Sequence, residues 1–387
     1  MRLTIAIVVF CIPVFALAQA EPPSLLLPDP SRNVHSEEDP KVLRARPVLV
    51  DLDVLSTRNA TGSTWTLPLF DGETLKATVT RTANAGIGTT CHADVAGKGK
   101  LTLHTREGVA MAVIDTGDGR LFDLRMSPHG QMLRELDPPA VTTCATSDMH
   151  SPHGECKAGP VTPLRAAEPT QLDVLVAYTA ATRAAAGGAA GVEAEIAVAV
   201  DLANTAYVNS AIDVELNLVH ATETAYVENG DMGVDLALLT GTEDGFMDEL
   251  HGLRNTYGAD LVALLVEDGD ACGVAWIMEE NGPSSASLGF SVTDHDCIAG
   301  QTFAHELGHN MGCAHDRENA SGGIFPYSWG WRFSDAGDTL YRTVMSYAPG
   351  FRINHFSNPD ILFEDVPTGA AAGEPPAATQ LPSVTEA

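Results

Sequence analysis

The sequence has few basic residues. Its 387 residues include 22 Lys and Arg against 51 Asp and Glu, which gives a formal net charge of −29. The shortage is greatest after residue 168, where 6 basic residues face 32 acidic ones and no Lys follows Lys157. Proteins that bind nucleic acid need clustered cations to contact the phosphates. The composition therefore excludes nucleic acid as a partner.

Apolar runs long enough for a membrane are also missing. The run at residues 3–17 is shorter than the ~20 apolar residues that cross a bilayer, and no later segment reaches that length. It follows Arg2 and ends at Ala18-Gln19-Ala20, small residues at the spacing that a signal peptidase accepts. We therefore interpret residues 1–20 as the signal peptide of a secreted, extracellular protein, and we expect no membrane partner.

Cysteines are few but even in number once the signal is removed. Loss of Cys11 leaves six: Cys91, Cys144, Cys156, Cys272, Cys297 and Cys313. In an oxidising compartment this suggests disulfides, with 15 possible pairings. We favour a bridge between Cys272 and Cys297, which would close a loop of ~25 residues and add about 3 kcal/mol of stability.

Composition divides the rest of the chain into two units. Residues 21–160 combine short alternating apolar runs (48–52, 75–79 and 109–114) with a Pro-rich stretch, which predicts a small β-rich domain and an exposed linker. Residues 168–370 alternate strands (172–178, 214–219 and 260–266) with helices (192–209 and 246–257), a pattern typical of an α/β fold with a mainly parallel sheet. Residues 272–278 suggest an edge strand. Ala- and Pro-rich residues from 361 on predict poor order, with a flexible tail at 371–387.

The stretch at 302–316, TFAHELGHNMGCAHD, carries the chemistry. Positions i and i+4 share a helix face, so His305 and His309 can present two imidazoles to one metal ion with Glu306 beside them. Gly312 can adopt positive φ and turn the chain, which brings His315 back toward the ion. Three nitrogens and one open position describe a catalytic zinc site.

A second segment supports the motif. It is Thr343-Val344-Met345-Ser346-Tyr347, whose Met lies thirty residues after His315, and it is similar to the Met-turn beneath the metal in metzincin peptidases. The zinc motif, with Asp316 after the third His, resembles the reprolysin-like branch of that clan. Over roughly 200 residues the chain is most similar to secreted bacterial peptidyl-Asp metalloendopeptidases.

The resemblance implies a fold and a mechanism. The fold is a metzincin-type α/β catalytic domain with a mixed, mainly parallel twisted sheet and an active-site helix, preceded by a β-rich propeptide. Glu306 would be the general base, Tyr347 would stabilise the oxyanion, and Met345 would form an apolar floor under one Zn²⁺. The expected substrates are proteins or peptides, cut on the amino side of Asp.

A pocket for Asp needs a cation, because a buried charge is costly unless it is paired. Four of the six arginines after residue 168 follow the zinc helix. The fork of Arg suits a carboxylate. We expect Arg352 to bind the substrate carboxylate, with Arg342 as the second choice.

Several alternatives stay open. The enzyme could have broader primed-side specificity, act on a non-peptide amide, or be a non-catalytic binding module, although such a module has no need of Glu306. Acidic runs such as 267–270 could bind Ca²⁺, but their spacing fits no calcium motif. The propeptide is expected to inhibit the enzyme. Either Cys144 or Cys156 could occupy the open zinc position as a thiolate, or the two could form a disulfide, which we favour.

Overall fold

We describe the fold from a computed structural model. It describes residues 21–32, 39–85, 88–95, 97–145, 169–278, 283–320, 323–325 and 327–371. The predicted signal peptide, Cys156 and the chain beyond residue 371 lie outside these ranges, so the expectations placed there stay predictions. None of the helices in the described ranges is long and apolar enough to span a membrane.

The first unit is a nine-stranded sheet in which every neighbouring pair is antiparallel. One short helix, α1 (Leu52–Thr57), follows the second strand, and the Asp51 side chain accepts hydrogen bonds from its first amides. Alternation of apolar and polar residues buries one set of side chains, with Trp65 and Phe122 at the centre. The strands are β1 (Leu26–Pro28), β2 (Val42–Val50), β3 (Thr64–Pro68), β4 (Thr74–Ala85), β5 (Gly88–Val95), β6 (Gly99–Arg106), β7 (Val109–Asp115), β8 (Leu121–Ser127) and β9 (Gly130–Leu136).

The second unit is built on a five-stranded sheet with the order β11-β10-β12-β14-β13. Its three inner pairings are parallel, whereas the edge strand β13 is antiparallel to β14. The middle strand β12 is buried at all six residues, as expected for a strand covered on both faces. The strands are β10 (Thr170–Tyr178), β11 (Val214–Glu223), β12 (Leu261–Val266), β13 (Gly273–Ala275) and β14 (Phe290–Asp294).

Helices cover this sheet. The longest, α3, buries an Ala-rich face both on the sheet and on the N-terminal unit, and α6 carries the zinc motif. The helices are α2 (Ala180–Ala185), α3 (Ala189–Asn209), α4 (Met232–Thr240), α5 (Asp248–Tyr257) and α6 (Thr302–Asn310). Short 3-10 helices lie at Ala140–Thr142, Pro283–Leu288 and His295–Gly300.

Small sheets complete the C-terminal part. The strands are β15 (Ala314–Asp316), β16 (Trp329–Gly330), β17 (Arg332–Ser334), β18 (Leu340–Arg342), β19 (Phe351–Arg352), β20 (Leu362–Phe363) and β21 (Val366–Pro367). The pair β20–β21 is an antiparallel hairpin. The expectation of poor order from residue 361 was therefore wrong for residues 361–371, because Thr368 bonds back to Asn358 and Ile361 and fixes the hairpin.

The α/β class is confirmed, but the largest sheet in the described residues is antiparallel. Parallel strand pairs occur in the five-stranded sheet and in two short pairs of the C-terminal part, and one isolated parallel bridge joins Ser24 to Thr66. The strands and helices expected between 172 and 266 all form, with small changes at their ends. The expected bridge between Cys272 and Cys297 is also present, 25 residues apart. It joins the start of the edge strand to the 3-10 helix that precedes α6.

Candidate metal centre

Helix α6 presents two imidazoles on one face. All nine of its residues are buried, which fixes the helix between the edge of the sheet and α3. His305 Nδ1 donates to the Val344 carbonyl at 2.7 Å and His309 Nδ1 donates to the Cys313 carbonyl at 2.8 Å. These bonds place the protons on Nδ1 and leave both Nε2 lone pairs available for a metal ion.

The third imidazole arrives through a glycine turn. Gly312 has a φ of 87°, and a Cβ at this position would lie 2.5 Å from Ile324 Cγ2. Both facts require glycine. The chain reverses here and enters β15, which carries His315.

The three Nε2 atoms converge on one point. They lie 3.2 Å (His305 to His309), 3.0 Å (His309 to His315) and 3.1 Å (His305 to His315) apart. Nitrogen ligands of a tetrahedral zinc ion lie about 3.3 Å from one another, since each Zn–N bond is about 2.0–2.1 Å. Burial lowers the pKa of His309 to about 4 and that of His315 to about 2, so the rings are neutral, as metal ligands must be.

The Cys144 thiol completes the group. Its Sγ lies 3.7 Å from His309 Nε2 and 3.7 Å from Glu306 Oε2, and the sulfur and the three ligand nitrogens all lie within 4.8 Å of one another. Three imidazoles and one thiolate form a donor set typical of zinc. Among the described residues, this is the one group of possible ligands close enough to hold a metal ion, so nothing there supports the calcium expectation.

Glu306 lies fully buried beside the ligands. It points toward the edge strand, where a Cβ at Gly273 would lie 2.4 Å from Glu306 Oε1. Glycine at this position is what lets the carboxyl group fit between α6 and β13.

The loop after β18 lies beneath the histidines. Met345 is buried, and a Cβ at Gly308 of α6 would lie 2.5 Å from its Sδ. The Tyr347 ring packs against the His315 ring at a tilt of 34°, with 4.0 Å between ring centroids. Asp316 joins the two segments, because its Oδ2 accepts a hydrogen bond from Tyr347 N at 2.9 Å.

Two buried arginines lie next to this loop. Arg342 donates to the Gly350 and Ser346 carbonyls, and Arg352 donates to the Gly300 and Ser346 carbonyls. Burial lowers the pKa of Arg342 to about 10, and burial with repulsion from Arg342 holds the pKa of Arg352 well below its usual range. Within the described ranges, neither guanidinium forms an ion pair with a carboxylate.

Residues 140–145 cross the site in front of these groups. Thr142 accepts a hydrogen bond from Arg342 Nη2 at 2.8 Å through its Oγ1, and its carbonyl accepts one from Arg352 at 3.5 Å. Tyr347 OH donates to the Cys144 carbonyl at 2.8 Å, and Ala145 N donates to the Gly273 carbonyl of the edge strand at 2.9 Å. This segment therefore contacts the candidate metal ligands, Tyr347, the two arginines and β13.

Comparison with known proteins identifies the family. Residues 169–370, more than half of the chain, match the model described as metallo-peptidase family M12B, reprolysin-like. The chain belongs to the reprolysin-like metallopeptidases. It is also similar to several proteins named peptidyl-Asp metalloendopeptidase, two of them from Stenotrophomonas maltophilia. One of these two is 31% identical over 71% of this chain and 66% of its own length. Another relative, from Xanthomonas campestris pv. campestris, is 35% identical over 53% of this chain and 48% of its own length.

The match to relatives is partial in length. The chain spans less than two thirds of the curated relatives it matches, at 66% and 62% of the two Stenotrophomonas proteins. A solved structure, metalloproteinase-II from Bacteroides fragilis, is 14% identical and superposes with a TM-score of 0.43 over 68% of this chain and 84% of its own. That score is too low to establish a common fold.

The structure of this reprolysin-like metallopeptidase brings the predicted site residues together. His305, His309, His315, Glu306 and Tyr347 meet at one point, and Gly312 and Met345 support them. Arg342 and Arg352 lie beside them. The sequence reasoning missed the glycines at 273 and 308, whose role depends on contacts with distant residues. It also missed Thr142, which carries no signal of its own apart from its position two residues before a cysteine.

The glycine turn gives a direct test of the metal centre. In Gly312→Ala, the positive φ and the contact with Ile324 should displace β15 and His315, so the purified protein should lose most of its zinc. Gly258→Ala is the matched control, because Gly258 also has positive φ but a Cβ there meets no atom within 4 Å. Zinc per chain, measured by elemental analysis, should fall only in the first variant. Equal zinc content in the two would contradict the prediction that His315 is the third ligand.

Proposed function

We propose that this chain is the secreted precursor of a zinc-dependent endopeptidase that cuts peptide bonds on the amino side of Asp. The observation that carries the proposal is the convergence of three buried imidazole nitrogens beside the Glu306 carboxyl group in a reprolysin-like domain. The names of the relatives point to the same substrate preference. Residues 168–370 would form the catalytic domain, and residues 21–160 the propeptide and linker.

In this proposal His305, His309 and His315 hold the ion. Zinc, when bound, supplies Lewis acidity to the scissile carbonyl and to the attacking water. Glu306 accepts the proton of that water and passes it to the leaving amine, a role that suits a buried carboxyl group next to the ligands. Tyr347, whose hydroxyl now donates to the Cys144 carbonyl, would donate to the oxyanion of a substrate in the same way.

The two arginines support a preference for Asp. Each directs one nitrogen at Thr142, a neutral residue, and burial disfavours the charge of both. A substrate carboxylate between them would offset both desolvation costs, and it would replace the hydrogen bonds that break when Thr142 leaves. Asp carries such a group on the shortest side chain.

Hydrolysis and specificity are tested together with a peptide library. The activated protein should cut before Asp, a chelator should abolish cutting, and Glu306→Ala should keep its zinc but lower kcat/KM by about 10²–10⁴-fold. Glu223→Ala, which changes an exposed carboxylate paired with Arg183, is the control and should cut normally. A non-catalytic binding module would give no products with any variant.

The arginines are tested by comparing two substrates. Arg352→Gln and Arg342→Gln should lower the ratio of kcat/KM for an Asp peptide to that for its Asn counterpart by about 30-fold or more, because a buried carboxylate would lose a partner. Arg183→Gln removes a cation from an exposed ion pair and should leave the ratio unchanged. Zinc content should be normal in all three. A ratio unaffected in both pocket variants would indicate broader specificity.

The contacts of residues 140–145 suggest how the precursor stays inactive. We propose that residues 140–145 block the site, with the Cys144 thiolate on the metal ion and Thr142 on the arginines. Cys156, the partner in the disulfide that the sequence favours, lies outside the described residues. The position of Cys144 Sγ, 3.7 Å from His309 Nε2, supports the hypothesis that this thiolate binds the metal ion instead.

Three variants of the full-length precursor separate the two hypotheses. Cys144→Ser should raise its activity, on the order of tenfold for each 1.4 kcal/mol by which the thiolate stabilises the blocked site. Thr142→Asp should lower the residual activity, because it places a carboxylate between the two guanidinium groups. Cys156→Ser is the control: it should behave as the unaltered chain, whereas a Cys144–Cys156 disulfide would make both serine variants alike.

A further inference from the structure

The two units of the chain meet across an interface with an apolar centre. Met111 and Val113 of β7 belong to the same buried cluster as Ala199 and Leu202 of α3. Val141 belongs to it as well. The N-terminal sheet therefore packs on α3, the helix that covers the catalytic sheet. This contact is made by β7, which precedes the 140–145 segment in the chain.

Ion pairs surround this apolar centre, and in all of them the two units contribute opposite charges in the same way. Among the described residues, every Lys or Arg in a pair that crosses the interface belongs to the N-terminal unit and every carboxylate to the catalytic unit. The pairs are Lys41–Asp294, Arg81–Asp201, Lys98–Glu364, Arg106–Glu193, Arg125–Glu195, Arg125–Asp296 and Arg134–Asp296.

Arg125 on β8 lies at the middle of this set. It is buried, and its guanidinium bonds to Glu195 of α3 at 2.5 Å, to Asp296, and to the ring and carbonyl of His295. All of these partners belong to the catalytic unit. Arg120, five residues earlier, bonds instead to Glu73 and Asp118 of its own unit.

The charge distribution of the sequence explains why the N-terminal unit contributes the cations. Residues 169–387 carry 6 basic and 32 acidic side chains, so the catalytic unit has few cations of its own to place beside buried carboxylates. The N-terminal unit supplies them. A charge pattern of this kind favours the association of two separate bodies and selects one docking geometry.

No covalent bond among the described residues other than the chain itself links the units, since the disulfide at Cys272 lies within the catalytic unit. We propose that the N-terminal unit is a separable protein partner: when the connecting segment at 146–168 is cut, it stays bound to the catalytic unit through this interface. After the cut, the N-terminal fragment keeps residues 140–145 as well, and their contacts with Arg342 and Tyr347 add to the binding. The variants below change only the ion pairs of the interface and so measure its share. The consequence of the binding, that cutting does not by itself release activity, rests on the proposed function.

The test uses the full-length precursor with an affinity tag on the N-terminal unit, Glu306→Ala to prevent self-digestion, and a recognition sequence for an unrelated endopeptidase inserted within 146–168. After complete cutting, the protein is captured through the tag and the release of the catalytic unit is followed over time. We expect both fragments to be retained together at about 0.15 M salt, a routine near-physiological condition.

Paired variants assign the cause. Arg125→Gln should speed release by about 30-fold or more, because it leaves the buried Glu195 without its guanidinium partner. Arg120→Gln is the matched control and should release as slowly as the unaltered chain. Arg106→Gln, at a more exposed pair, should speed release only a few-fold, and less at high salt. It provides a readout even if Arg125→Gln fails to fold.

Immediate separation of the unaltered fragments would overturn the proposal. So would equal release rates for Arg106→Gln, Arg125→Gln and Arg120→Gln. Neither result depends on peptide hydrolysis, because the assay measures retention of a protein that carries no general base. Failure of the proposed function would appear separately, as a lack of cleavage products in the peptide library.

Discussion

The structure depends on three imidazole nitrogens held about 3 Å apart in a buried site. Without a cation, their lone pairs would face one another with no water to solvate them, and burial already keeps the rings neutral. The surrounding structure keeps them there. Two backbone carbonyls orient His305 and His309, a glycine turn returns His315, and Gly308 lets Met345 pack directly under the helix.

The second constraint is that the catalytic unit buries charged side chains without an ion-pair partner from its own described residues. An acidic domain keeps two guanidinium groups buried beside its metal centre without a carboxylate partner among the described residues, although it has few cations to spare. Burial lowers the pKa of both arginines, and the charges of Asp316 and Glu306 offset this only in part. At the back of the domain the opposite holds, since buried carboxylates receive their cations from the N-terminal unit. In the proposed function a partner of opposite charge completes each arrangement: a substrate carboxylate beside the metal centre and the N-terminal unit at the back.

Much of this could be predicted from the sequence, for reasons that are local. The geometry of the motif at 302–316 follows from its own sequence. Helix periodicity places His305 and His309 on one face, and Gly312 allows the turn that returns His315 to them. The apolar strands of the five-stranded sheet and the helix at 189–209 follow from hydrophobic periodicity. The disulfide between Cys272 and Cys297 is favoured for the loop that it closes, although the sequence leaves 15 pairings possible.

What could not be predicted depends on contacts between distant segments. Strand β14 (Phe290–Asp294) is short and follows a 3-10 helix, so nothing in its sequence marks it as lying next to the middle of the sheet. The hairpin at 362–367 is held by Asn358 and Thr368 rather than by composition. Thr142 is an ordinary threonine in a Pro-rich stretch, and its contact with Arg342 spans 200 residues.

The bridge between Cys272 and Cys297 has one more consequence. It ties the edge strand β13 to the 3-10 helix that precedes α6, so the strand beside Glu306 and the helix that carries two of the histidines are braced against each other by a bond that forms only where thiols are oxidised. A chain that folds in a reducing compartment lacks this brace. Full bracing of the site therefore requires folding in an oxidising compartment.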